Sequence, residues 1–410
     1  ILSRSVSRRI LAVLVALGLA PGVLSGQAPP PDGDWVTFET EHFRVTYEPE
    51  LEPLAREAAA VAERTHAVLR RELAEAPEGM IDLVVGDHAD FSGGYAMPFP
   101  SNRVVVLVRP GTTRGEFYAR DWIELVVTHE LVHTFHMDRS GGAGRLVRSV
   151  LGRLPLLWPV FPVPSTPAWS TEGLATHYES RLTGTGRVEA SFHDMIIRTA
   201  ALEDRIPALD ELSAPSPVWP AGNRSYVYGA RLMRYVAERY GAEAHATIVD
   251  ATAGSWWPTF LRFDHVAEEA VGRPFDALYD AWRAAARDTA EAVARRVRAN
   301  GETATRAVAG RGPYAVAPRV SPDGTRLTFA ASDWRSDPAT RLVDLGTGAE
   351  RTVARQNQPG SMLGPADWLP DGSGLIVAQM ERHGPYRLHT DLWRLSPDGD
   401  ETRLTDGLRL

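Results

Sequence analysis

Cysteine is absent from this chain. That excludes disulfides, thiolate metal sites and a lipid-modified N-terminal cysteine. A long apolar run is missing as well. The longest, Ile10 to Ala20, is too short to span a bilayer. There is no excess of positive charge: the formal net charge is −8, and no basic stripe carries interleaved aromatics, which argues against a nucleic-acid binder. What remains is ordinary for a folded protein of two or three domains: 410 residues, 44% hydrophobic and 23% charged.

The N-terminus reads as a secretory signal over residues 1–28. Arg4, Arg8 and Arg9 precede the apolar run, and the small residues Ser25 and Gly26 follow it. Cleavage is expected near Gly26 or Ala28, which implies an extracytoplasmic (periplasmic or secreted) location. An uncleaved anchor is the alternative. The first residue is Ile rather than Met, so a truncated start is expected.

The most informative segment is His129-Glu130-Leu131-Val132-His133. It lies in an apolar stretch from Trp122 to Met137 that reads as a helix, with neither Pro nor Gly between Asp121 and Ser140. Two histidines four apart share one helix face, so both imidazoles can hold one metal ion. Glu130 then stands where a general base for a water molecule is needed. A chance match would usually fall in a loop or across a breaker. Ile123, Val126, Val127, Leu131, Val132 and Phe135 predict instead a largely buried helix, in which two imidazoles and a carboxylate need partners.

Zinc hydrolases commonly use three protein ligands. His136 lies further along the same helix, and three ligands in line on a straight helix cannot surround one ion, so it is expected to be a packed histidine. The extension HExxHxxGxxH is absent, since position 136 is His and position 139 is Arg. The better candidate is Glu172, in Ala168-Trp169-Ser170-Thr171-Glu172-Gly173-Leu174-Ala175-Thr176-His177-Tyr178-Glu179. This stretch reads as a second helix begun after Pro167, with Gly173 and Ala175 small enough for close packing on the first. A surface glutamate on an amphipathic helix is the plain alternative.

With both motifs in hand, the chain resembles the gluzincin zinc peptidases. Trp169, Glu172, Gly173 and Ala175 match their second motif, W-x-x-E-G-x-A. From about Trp35 to Asn300 it is similar to the peptidase MA-like group of that superfamily. The resemblance implies one Zn2+ held by His129, His133 and Glu172, with Glu130 as base. It also implies an α+β thermolysin-like domain over residues 35–185 and a helical lobe over 186–300. One departure stands out: position 176, four past the glutamate, is Thr where thermolysin-like enzymes carry an Asp that orients the first histidine.

Tyr226 and Tyr228 are candidate donors to a tetrahedral intermediate, and His177 is another; a helix Tyr is otherwise a core residue. Val104 to Val108 reads either as the edge strand that pairs with substrate or as an interior strand of the same sheet. Gly93-Gly94-Tyr95-Ala96-Met97-Pro98 reads as a loop. Residues 145–161, basic and proline-punctuated, read as a helix and loop packed into the core, or as a lid or membrane-surface patch. Helices are expected over Phe192–Leu202, Ser225–Tyr240 and Pro274–Ala299, the last with a packing stripe of Phe275, Leu278, Tyr279 and Trp282.

After Gly301 the texture changes. Ser321-Pro322-Asp323-Gly324 and Leu369-Pro370-Asp371-Gly372 lie 48 residues apart, each followed by a strand-like run. Ser396-Pro397-Asp398-Gly399 is a further turn in the second unit. These repeats resemble blades of a TolB-type β-propeller, about two of them over residues 305–410, with Arg403-Leu404-Thr405 and Gly407 as the lead-in to a third. A propeller needs about four blades to close, so the chain is expected to stop inside it. Two functions from different classes follow. One is a secreted zinc metallopeptidase acting on a peptide or protein substrate. The other is a non-catalytic extracytoplasmic binding protein that uses the propeller on a protein partner, with a vestigial or structural zinc site. A hydrolase of a non-peptide amide or ester is not separated from the first by sequence.

Overall fold

The computed structural model describes residues 28–409 except 74, 112–116, 155–158, 215–216, 258–262, 310–313, 334, 356–365 and 397. The signal segment therefore lies outside the described residues, apart from its last position. Among the described residues, no helix is long and apolar enough to cross a membrane.

The first part is a five-stranded sheet covered by helices. Its strands are β1 (Val36–Glu39), β2 (Phe43–Tyr47), β3 (Ile81–Gly86), β4 (Gly93–Met97) and β5 (Arg103–Leu107), in the order β1-β2-β3-β5-β4. The central pairs β2/β3 and β3/β5 are parallel, and the outer pairs β1/β2 and β4/β5 are antiparallel. Helix α1 (Glu52–Glu72) makes the crossover from β2 to β3 and buries Ala55, Ala58, Ala62 and Leu69. The apolar run 104–107 is flanked on both sides, so it is the interior strand, as its nearly complete burial requires. The edge next to it is β4, formed by the glycine-rich segment expected as a loop; β1 is the opposite edge. Glycine weakens a strand, but antiparallel pairing of Gly94 with Val106 and Tyr95 with Val105 holds it in register.

Helix α2 (Trp122–Met137) carries the first motif, and Asp121 caps it by accepting from the Glu124 amide at 3.0 Å. Helix α3 (Gly142–Leu151) follows. Its inner side is tied down through Arg148, which pairs with Asp138 at 3.0 Å, while Leu146, Val150 and Leu151 face solvent. Val160 and Phe161 are buried, so the described residues of 145–161 are part core and part exposed apolar face, while 155–158 lie outside the described residues.

Helix α4 (Ala168–Thr183) carries the second motif. The helical part continues with α5 (Ser191–Leu202), α6 (Arg224–Tyr240), α7 (Glu243–Gly254), α8 (Phe263–Val271) and α9 (Phe275–Ala299). Trp169 anchors α4 between Phe263 and Phe275, with ring centroids 5.8 and 4.9 Å away. Gly173 serves a neighbour other than the one expected. A Cβ there would lie 2.5 Å from the Gly229 backbone, so this glycine lets α4 approach α6, not α2. The stripe Phe275, Leu278, Tyr279 and Trp282 on α9 is buried, as its spacing predicts.

The last part is two four-stranded antiparallel sheets in meander order. One holds β6 (Tyr314–Val320), β7 (Arg326–Ser332), β8 (Ala339–Asp344) and β9 (Glu350–Arg355). The other holds β10 (Ala366–Trp368), β11 (Leu375–Arg382), β12 (Leu388–Leu395) and β13 (Glu401–Arg403). Neither closes into a barrel or propeller. Gly324 and Gly372 adopt the same positive φ, 74° and 71°, so the two Pro-Asp-Gly turns are equivalent in structure as well as in sequence. Leu342 and Val353 of the first sheet share a core with Leu375, Val377 and Leu395 of the second.

Residues 401–403 complete the second sheet as its fourth strand. The chain then folds back, because Asp391, fully buried, draws in Arg403, Thr405 and the Gly407 amide. Arg409 pairs with Asp87 and Asp90, and Leu388 bridges to Ala89. The second sheet is thus stitched to the segment that leads into β4.

Candidate metal centre

Helices α2 and α4 bring His129, His133 and Glu172 together. The His129 and His133 Nε2 atoms are 3.1 Å apart, and Glu172 Oε2 lies 3.2 Å from His133 Nε2 and 3.4 Å from His129 Nε2. Donor atoms about 2.0–2.1 Å from a tetrahedral ion stand about 3.3 Å from one another. The spacing and the donor set, two imidazoles and a carboxylate, therefore fit a zinc ion. Both histidines are buried, while Glu172 is half-buried and leaves the site open on its side.

The electrostatics ask for a cation at the same point. Burial and the Arg187 guanidinium act to lower the His129 imidazole, yet hydrogen bonds to Glu172 and Glu179 outweigh them and raise it to about 9. Burial alone would raise Glu172, but the two imidazoles hold it well below the usual carboxylate range. A metal ion can take the place of the proton that this cluster attracts.

Glu179 fills the place that Thr176 left open. Its Oε2 lies 2.7 Å from His129 Nδ1. Arg187 clamps the same carboxylate through Nε at 2.9 Å, Nη2 at 2.6 Å and its backbone amide at 3.1 Å. Arg187 Nη2 also lies 3.0 Å from His129 Nδ1. One nitrogen cannot donate to the carboxylate and accept from the guanidinium at once. We assign Nδ1–H as donor to Glu179, because Arg187 is already satisfied there and the assignment leaves the Nε2 lone pair for a metal. Burial opposes ionisation of Glu179, but Arg187 and His129 hold it down at about 2.

Neither Glu179 nor Arg187 was found from sequence. Glu179 had a signal: it lies seven residues past Glu172, two turns along the same helix face. Arg187 had none, since it comes from a short turn after α4.

Glu130 is buried next to the triad. Burial raises its carboxyl, with the two imidazoles acting against the rise. Strand β4 passes directly over it: a Cβ on Gly94 would lie 2.9 Å from Glu130 Cγ and 3.0 Å from its Oε1.

The two candidate tyrosines part company. Tyr226 stands with its ring centroid 6.3 Å from that of His129, and the Arg187 guanidinium carbon lies 4.7 Å from the Tyr226 centroid. Burial, then the Glu172 charge, raises its phenol above the usual range. Tyr228 packs instead on Trp282, at 6.2 Å between centroids. Residues two apart on a helix point about 200° apart, so both cannot face the triad. His177 packs against His245, 5.0 Å between centroids, and burial lowers it to about 3, so it is a core histidine. His136 is likewise buried and lowered to about 3, and no oxygen or nitrogen of the described residues pairs with its Nδ1.

No family model matches the chain, and no curated protein matches it. Among solved structures, TolB from Acinetobacter baumannii is similar at 28% identity over 23% of this chain and 22% of that chain, with a TM-score of 0.19. Yeast LTA4 hydrolase in complex with bestatin is similar at 14% identity over 61% of this chain and 36% of that chain, with a TM-score of 0.32. The chain thus spans about a fifth of that TolB chain and about a third of the hydrolase chain. At these TM-scores the likenesses carry no weight for activity.

Proposed function

We propose that the chain is an extracytoplasmic zinc-dependent metallopeptidase of gluzincin type. The observation that carries this reading is the convergence of His129, His133 and Glu172 within 3.4 Å of one another beside the buried Glu130. A zinc ion held there would polarise the scissile carbonyl and lower the pKa of water to about 7. Glu130 takes the proton from the attacking water and delivers it to the leaving amine. Its raised pKa suits both tasks, since a carboxyl nearer neutrality both accepts and returns a proton.

Tyr226 stays protonated at neutral pH and donates a hydrogen bond to the developing oxyanion. The free edge of β4 pairs with an extended peptide and lays it across Glu130. The two C-terminal sheets are blades of a propeller that binds a protein partner or substrate. The exposed face of Leu146, Val150 and Leu151 is where the segment 145–161 touches a membrane surface.

The deciding experiment measures metal by mass spectrometry and hydrolysis of a mixed peptide library, for wild type and Glu130→Gln. One zinc per chain, with cleavage lost in the variant by at least about a hundredfold while zinc stays, is the expected result. Zinc without cleavage in either protein would favour the binding-protein reading. Absence of zinc from both would sink the ligand assignment.

A further inference from the structure

A cavity of about 670 Å³ opens between α5, α6 and α9, and none of its lining residues belongs to the triad. One wall is apolar, made by Trp282, Ile197 and Val293, and the small Ala285 and Ala286 leave the space open. The rim is cationic. Four guanidiniums (Arg198, Arg231, Arg234 and Arg296) face two carboxylates in the lining, Asp194 and Glu238, and a third, Glu189, beside Arg234, a surplus of one positive charge in a chain of net charge −8.

A crevice between splayed helices, laced by rim ion pairs, is the plain alternative, and the pairing argues against it. Asp194 is shared: it binds Arg231 closely and lies 3.7 Å from Arg198. Arg234 is satisfied by Glu238 at 2.8 Å and by Glu189 at 3.2 Å. Arg296 has no carboxylate within ion-pair distance among the described residues. Arg198 and Arg296 therefore hold donor capacity that the fold does not use.

We propose that this cavity binds a small organic anion. Its carboxylate or phosphate head is held by the rim arginines, and its apolar body lies against Trp282, Ile197 and Val293. Planar guanidiniums suit such heads because they offer paired donors at fixed geometry. An apolar wall with a few convergent polar groups is the usual make-up of a small-molecule site.

The test is calorimetric titration of the full chain with 4-phenylbutyrate, phenyl phosphate, inorganic phosphate and the neutral 4-phenylbutanol. Saturable one-to-one binding of at least one of the two aromatic anions is expected, and which binds tells a carboxylate head from a phosphate head. The alcohol and inorganic phosphate should bind at least about tenfold more weakly, lacking the charge or the apolar body. Arg198→Gln and Arg296→Gln should each weaken the anion by about tenfold at unchanged thermal midpoint. Both sites lie toward solvent, so the fold survives these changes. The proposal is overturned by no saturable binding of either aromatic anion, by equal binding of the alcohol or of inorganic phosphate, or by unchanged affinity in both variants. Because the readout is binding, it succeeds or fails independently of any peptidase activity.

Discussion

At the scale of single residues, the chemistry of the metal centre depends on a group outside the motifs. His129 is held by Glu179, and Glu179 by Arg187. The chain Arg187–Glu179–His129 sets the tautomer and aim of the imidazole, and Arg187 keeps Glu179 ionised. Glu179→Gln is expected to weaken zinc affinity about 10- to 100-fold. It also leaves the buried Arg187 short of its counter-charge, so a loss of thermal stability should accompany it. Competition with a zinc chelator, followed alongside circular dichroism, checks both. Unchanged zinc affinity would remove Glu179 from the site. Thr176, at the position where an Asp was looked for, is buried and has no hydrogen-bond partner for its hydroxyl among the described residues.

At the scale of elements, the site is a matter of how closely backbones approach. Gly229 and Gly173 let α4 and α6 touch, and this contact brings Tyr226 toward the triad. Gly94 does the same for β4 and α2. A methyl group on Gly94 would press on Val126 and on Glu130 itself. Gly94→Ala is expected to cost about tenfold or more in kcat by displacing the base, with the fold and zinc content retained. Peptide hydrolysis compared with zinc content checks it; equal kcat would show that β4 does not confine Glu130. The sequence hid this strand because two adjacent glycines read as a turn, and only pairing with β5 made it extended.

At the scale of the whole molecule, buried histidines set the acid limit. Burial lowers His66 and His245 to about 4 and His177 and His193 to about 3. Each lies below its ordinary 6.5, so the unfolded chain binds more protons than the native one as pH falls. Their contribution is fully present above about pH 6.5 and is lost as pH drops toward 3–4, by several kcal/mol in total. His129, raised to about 9, has the opposite sign: its contribution is fully present below about pH 6.5 and is lost as pH rises through about 9. The thermal midpoint should therefore fall steadily from about pH 7 to about 4.5. A flat profile over that range would contradict the buried, neutral state of these histidines.

The residues that short-range geometry governs were legible in the chain itself. Helix geometry alone sets His129 and His133 on one face with Glu130 beside them, and the apolar run free of Pro and Gly from Trp122 to Met137 marks the bounds of α2. Pro-Asp-Gly alone specifies the repeated turns of the C-terminal sheets. Glu172 was legible only through its resemblance to a known motif. What joins distant segments was not legible: the Glu179–Arg187 clamp, the choice of Tyr226 over Tyr228, β4 as the edge, the return of residues 404–409 to Asp87 and Asp90, and the arginine-rimmed cavity. Local spacing follows from bond geometry over a few residues. Which faces meet depends on the packing of whole elements, and close contacts such as Gly173 on Gly229 exist only once that packing is complete.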